Sequence, residues 1–93
     1  LTVQISGRSI LVQGREVARL DGIEASDTHI AGLSEELAYR RGRWAEVPDQ
    51  GLEVTIMAGK ETDYRLLRKI MQTCVDEDFR QVRLAVEAEV RNG

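Results

Sequence analysis

Hydrophobic and polar residues alternate along this chain with two different periods, and each change of period marks an element. Thr2 to Ser6 alternates with Val3 and Ile5 on one side, and Ser9 to Gln13 alternates with Ile10 and Val12 on one side. Alternation sends successive side chains to opposite faces of an extended strand. Gly7-Arg8 between the two segments has the length of a tight hairpin turn. A second break at Gly14-Arg15 precedes Val17 and Leu20, which adds a short extended piece. Asp21 to Thr28 carries no clear period and reads as a loop.

Ile30, Leu33 and Leu37 then recur at helical spacing, with Ala31 and Ala38 beside them. Gly42 follows Arg40-Arg41 where a left-handed C-terminal cap is expected. Gly42 to Gly51, with Pro48 and Asp49, has turn composition and is expected to form an exposed loop from which Trp44 folds back on the core. Leu52, Val54, Ile56 and Ala58 alternate with Glu53, Thr55 and Met57, the pattern of a strand. At Thr62-Asp63 the period becomes helical again. Tyr64, Leu67, Ile70, Met71, Cys74 and Val75 form one apolar stripe, while Arg65, Arg68, Lys69, Gln72 and Asp76 face water. Thr62 or Asp63 suits the N-cap. After Phe79, strict alternation resumes with Val82, Leu84, Val86 and Ala88 against Arg83, Glu87 and Glu89.

The order is β-β-α-β-α-β. A strand, a helix and a strand joined by short connections set the strands from Leu52 and from Gln81 side by side and parallel. Both are half-polar, so helices cover the sheet on one face only. The expected fold is an α+β two-layer sandwich with a mixed sheet and two helices on one face.

Composition narrows the picture. The 93 residues fit one domain, 1–93, with 42 % hydrophobic and 31 % charged residues, inside the globular range. Thirteen Lys and Arg against 16 Asp and Glu give a net charge of -3, which argues against nucleic acid held through many phosphates. The cluster of Arg40, Arg41 and Arg43 reads as cations at a helix end, where the macrodipole favours them. One cysteine makes no internal disulfide and does not report a compartment. The chain opens on Leu1 rather than Met, which suggests a piece of a longer protein whose membrane anchor lies outside it.

Candidate chemistry is sparse. Gly59-Lys60 resembles the end of a phosphate loop, but Val54 stands where that loop needs its first glycine and Glu61 where it needs a hydroxyl. It reads as a strand-to-helix turn in which Gly59 supplies backbone freedom. His29 and Cys74 are alone of their types, Cys74 on a buried stripe and His29 at a helix start. Glu35-Glu36 and Asp76-Glu77-Asp78 fall on solvent faces or helix ends. The chain is read as a non-enzyme, with no catalytic residue, no cofactor and no metal site.

The ordered pieces resemble the periplasmic domain of the biopolymer-transport proteins ExbD and TolR. The resemblance lies in LTVQISGRSILVQGREV and in VTIMAGKETDYRLLRKIMQTCVDEDFRQVRLAVE. Ala58, Tyr64, Ile70-Met71, Phe79, Val82, Leu84 and Val86 match the family's strand end, helix and closing strand in order. The chain departs from the pattern with Gly59 where the family usually has Asp, and with the loop from Gly42 to Gly51.

The resemblance implies a protein with a short cytoplasmic tail, one membrane helix carrying a proton-accepting aspartate, a linker and this domain on the periplasmic side of the inner membrane. In such proton-motive-force-driven stators, two copies sit inside a pentameric ExbB- or TolQ-like channel protein. Their periplasmic domains act on an envelope protein or hold the cell wall, in biopolymer transport or motility. The expected partners are therefore a second copy, the channel protein through the absent helix, and an envelope protein or peptidoglycan. The alternative is a free-standing α+β envelope-binding module, an adaptor for peptidoglycan or a secretion channel. The strand from Gln81 to Val90 alternates without proline and leaves an edge for pairing. Arg83, Glu87, Glu89 and Val90 are the candidate residues of that dimer or partner edge.

Overall fold

The computed structural model describes residues 1–24 and 27–87 of the chain. Strands β1 (Thr2–Ser6), β2 (Ser9–Val12) and β3 (Arg15–Arg19) come first. A short 3-10 turn at Leu20–Gly22 leads towards helix α1 (Ala31–Arg41). Strand β4 (Glu53–Gly59), helix α2 (Tyr64–Asp76) and strand β5 (Gln81–Glu87) complete the domain. The five strands form one sheet in the order β3-β2-β1-β4-β5. β1, β2 and β3 are joined antiparallel, while β1 pairs parallel with β4 and β4 parallel with β5. This is the expected α+β fold with a mixed sheet, the short extended piece having become β3.

Local chemistry explains the two hairpins. Ser6 stands opposite Ser9 across a two-residue turn with Gly7 at φ +60, as expected for Gly7-Arg8. In the second turn both Gln13 (φ +52) and Gly14 (φ +84) are left-handed, the combination whose twist matches paired strands. β2 and β3 slip register between Ile10 and Leu11. At the extra residue, Val17, β3 lies so close to α1 that a Cβ on Gly32 would collide with the Val17 carbonyl.

One face of the sheet carries the core. Val3, Ile10, Val12, Val54, Ile56 and Ala58 are buried beneath Ile30, Leu33 and Leu37 on the α1 side and Ile70, Cys74 and Phe79 on the α2 side. The opposite face, with Gln4, Thr55 and Met57 partly exposed, has no helix over it among the described residues. Thr73 ties the helices together. Its buried hydroxyl accepts from the Ile30 N–H at 2.9 Å and donates to the Lys69 carbonyl at 2.7 Å.

One helix end differs from expectation. Gly42 closes α1 in a right-handed conformation (φ -62, ψ -12) rather than as a left-handed cap, because the chain continues as a turn in which Arg43 and Trp44 donate to Arg40 and Arg41. Trp44 is 57 % exposed and does not fold into the core, which Phe79 already closes beside it. α2 starts as expected, with Asp63 accepting from the Arg65 N–H. It ends in a Schellman motif: Phe79 N–H donates to Cys74 and Asp78 N–H to Val75, with Asp78 left-handed at φ +69. Asp78 is held there by Arg41 at 3.1 Å and Arg80 at 2.8 Å. Gly59 has no left-handed φ, so the freedom expected of it is not what turns the chain. The turn is closed by the Thr62 N–H donating to the Gly59 carbonyl.

Candidate interaction edge

The sheet has two edges, and they are built differently. β3 carries the exposed Arg15, Glu16 and Arg19, lies against α1 and is bulged. Charge, bulges and a covering helix are the usual means of blunting an edge. β5 pairs with β4 over seven residues, Glu53↔Gln81 to Gly59↔Glu87, and with no other described strand.

Hydrogen-bond direction along β5 follows from one anchored bond. The Gln81 N–H donates to the Leu52 carbonyl on the β4 side. In a parallel ladder both main-chain groups of a residue point to the same neighbour and alternate residues point away from it. The N–H and C=O of Val82, Leu84 and Val86 therefore point outward, away from β4.

The side chains of the same residues face the helix layer, since Val82, Leu84 and Val86 stand opposite the buried Val54, Ile56 and Ala58. Yet Leu84 is 47 % and Val86 55 % exposed. The cause lies in how α2 is seated. Thr73 turns one flank of α2 towards α1, and Leu66, Leu67, Ile70 and Cys74 point down into the core. The flank away from α1 carries Tyr64, Met71 and Val75, spaced on one helical stripe. Tyr64 is 69 % and Val75 40 % exposed. An apolar margin thus runs along β5 and the adjoining flank of α2.

This corrects part of the sequence reading. Tyr64 and Val75 are not in the buried stripe, because α2 is rotated towards α1 by about the width of one residue row. Leu66 and Thr73 take their places in the core contacts. Leu84 and Val86 face the expected side but lie beyond the cover of the helix. Of the candidate edge residues, Arg83 is exposed on the open face opposite Thr55. Glu87 ends β5 opposite Gly59. Glu89 and Val90 lie outside the described residues. The missed signal was the polar Thr73 at i+3 from Ile70, which marks a helix–helix contact rather than the stripe's edge.

Elsewhere the titratable groups are tied up or alone. Arg40 pairs with Glu36 at 2.7 Å and Arg41 with Asp78 at 3.1 Å, so these two arginines of the cluster are held in ion pairs near the end of α1. Cys74 is fully buried, and burial pushes its thiol up to about 12, which removes it as a nucleophile at neutral pH. His29 is exposed ahead of α1. Among the described residues, no three His, Cys, Asp or Glu side chains are grouped to hold a metal ion, and no helix is long and apolar enough to cross a membrane. No family model matches this chain, and no curated protein or solved structure matches it.

Proposed function

We propose that this chain is the periplasmic force-transmitting or anchoring domain of a proton-motive-force-driven inner-membrane stator of the ExbB–ExbD or TolQ–TolR type. It acts as a non-catalytic domain that works in pairs, is tethered through a membrane helix to a pentameric channel protein, and contacts an envelope protein or peptidoglycan.

The observation that carries this reading is the run of parallel strands β1-β4-β5. β1 begins at one end of the sheet and β5 finishes at the other. Tension applied at the start of β1 and the end of β5 pulls along the strands, so the β1–β4 and β4–β5 ladders are loaded in shear. Their hydrogen bonds then share the load instead of opening one by one. A domain that passes force between a membrane anchor and the envelope needs such a path. Ala58 at the end of β4, Tyr64 at the start of α2, and Val82, Leu84 and Val86 in β5 are also the positions through which the chain resembles that family.

The test is made on the whole product of the gene in its native cells. Membranes are washed with alkaline carbonate, and an affinity tag on the protein is used to recover its neighbours. Retention in the washed membrane together with a multi-spanning channel protein is expected, with this domain open to protease in spheroplasts and closed to it in intact cells. Release as a soluble envelope protein without such a neighbour overturns the proposal in favour of a free-standing binding module.

A further inference from the structure

We propose that the outer surface of α2, together with the apolar margin beside it, docks on a lipid bilayer that carries anionic headgroups. The inference stands on the charge and exposure of α2, not on the stator reading, and its tests need only the purified chain and vesicles.

The cations of α2 differ from most of those elsewhere in the chain. Arg15, Arg19, Arg40, Arg41 and Arg80 each have a carboxylate oxygen at 4.0 Å or less. Arg65, Arg68 and Lys69 have no such partner among the described residues. The acids at the two ends of α2 are already engaged, since Asp63 accepts from the Arg65 N–H and Asp76 from the Gln72 amide, both at 2.8 Å. Lys69 Nζ donates to the Glu24 carbonyl at 2.8 Å, a bond that leaves its charge unneutralised. Within Tyr64–Asp76 three cations therefore stand against one acid, in a chain whose net charge is -3. A local excess of unpaired cations on an otherwise acidic protein selects an anionic surface.

Apolar surface borders these cations on both flanks. Arg68 follows Tyr64 by four positions and precedes Val75 by seven, so it shares their side of the helix, and Leu84 and Val86 of β5 continue that exposed strip. On the other flank the half-buried Leu20, Ile23 and Leu66 floor a groove rimmed by Arg65, Arg68 and Lys69. A peptide lying in that groove covers one apolar strip and leaves the other in water. A bilayer covers both, with its phosphates at the cations and the strips at the boundary with the acyl chains. The ring and hydroxyl of Tyr64 suit the same depth, where one end is apolar and the other wet. The outward main-chain groups of β5 then stay in the hydrated headgroup layer, where water and phosphate serve them. Glu35 is exposed on α1, which centres the contact on α2 rather than across both helices.

Vesicles of phosphatidylcholine and phosphatidylglycerol in equal parts are expected to sediment half of the chain between about 0.1 and 10 mM lipid. Phosphatidylcholine alone is expected to hold little, and about 0.5 M NaCl to release what is bound. A cation at an anionic surface is worth about fivefold in binding, so Arg65→Glu with Arg68→Glu is expected to weaken it about twentyfold or more. Arg65→Lys with Arg68→Lys keeps the charge and is expected to keep most of the binding. Arg15→Glu with Arg43→Glu changes the net charge equally but away from α2, and is expected to leave binding within about threefold of the parent. Tyr64→Trp in a Trp44→Phe background puts the sole tryptophan on the margin, and its emission is expected to move to shorter wavelength when vesicles are added. Far-ultraviolet circular dichroism checks that each variant folds. No binding at about 10 mM anionic lipid overturns the proposal. So do equal weakening by the two Glu pairs, and a Lys pair that binds no better than the Glu pair on α2. An emission shift that follows protein concentration without lipid shows the margin covered by a second copy, and overturns it as well.

Discussion

Replacing Thr73 by Val changes almost nothing in shape and removes one hydrogen-bond acceptor from the centre of the helix layer. Thr73 has no exposed surface, and its hydroxyl bridges the Lys69 carbonyl and the Ile30 N–H. The two bonds differ in what their loss leaves behind. The Lys69 carbonyl retains its place in the α2 hydrogen-bond ladder. The Ile30 N–H has no substitute, because Ile30 is itself buried and α1 has no side-chain cap at its N-terminus. A buried donor left unpaired costs about 1–3 kcal/mol, and the added methyl offsets up to about 0.8 kcal/mol of that. A net loss of about 1–2 kcal/mol is expected. In a domain of this length each kcal/mol is worth about 4–8 °C in Tm. Urea unfolding followed at 222 nm is expected to show a lower midpoint with an unchanged slope, since the surface exposed on unfolding is the same. Hydrogen exchange locates the loss, with the Ile30 amide the most strongly deprotected. An unchanged midpoint, or a lower midpoint with Ile30 still protected, refutes this account of how α1 is held to α2.

Further outcomes follow from the same packing. Cys74→Asp puts a carboxylate into the core and is expected to unfold the domain, whereas Arg68→Asp on the exposed face of α2 is expected to change stability by less than about 1 kcal/mol; thermal melts compare the two. The raised thiol of Cys74 means the folded chain holds its proton while the unfolded chain releases it, so the stability contribution is complete below pH 9 and is lost as pH rises from about 9 towards 12. The slope is about 1.4 kcal/mol per pH unit, and urea midpoints at pH 8 and pH 10.5 are expected to converge in Cys74→Ala. Gly51→Ala is expected to cost about 2 kcal/mol or more in urea unfolding, because φ is +90 and the added Cβ lies 2.8 Å from Arg80 Cβ and 3.0 Å from the Asp78 carbonyl. In single-molecule pulling, attachment at residues 1 and 87 is expected to rupture at higher force than attachment at residues 9 and 19, since the second geometry opens the β2–β3 ladder from one end.

The strand framework was legible because its signals are local. Val3 and Ile5, Ile10 and Val12, and Val54, Ile56 and Ala58 alternate within single segments, and the turns at Gly7 and Gly14 carry the residues that left-handed backbone favours. The parallel placement of β4 and β5 followed from chain connectivity, which leaves a short strand-helix-strand unit little choice. What could not be read was set between elements. Whether Tyr64 or Thr73 lies at the edge of the α2 core stripe depends on where α1 sits, and α1 is held by a bond spanning 43 positions of sequence. The pairing of the left-handed Asp78 with Arg41 of α1 likewise joins residues 37 positions apart, which no local preference announces. The asymmetry of the sheet edges has the same origin. Alternation in β5 identified which side faces the helices, but only the seating of α2 decides that Leu84 and Val86 are left beyond its cover. The rotation that gives Thr73 its acceptor role therefore also withdraws Tyr64 and Val75 from the core. The hydrogen bond that locks the helices together and the apolar margin along β5 are two results of one packing choice.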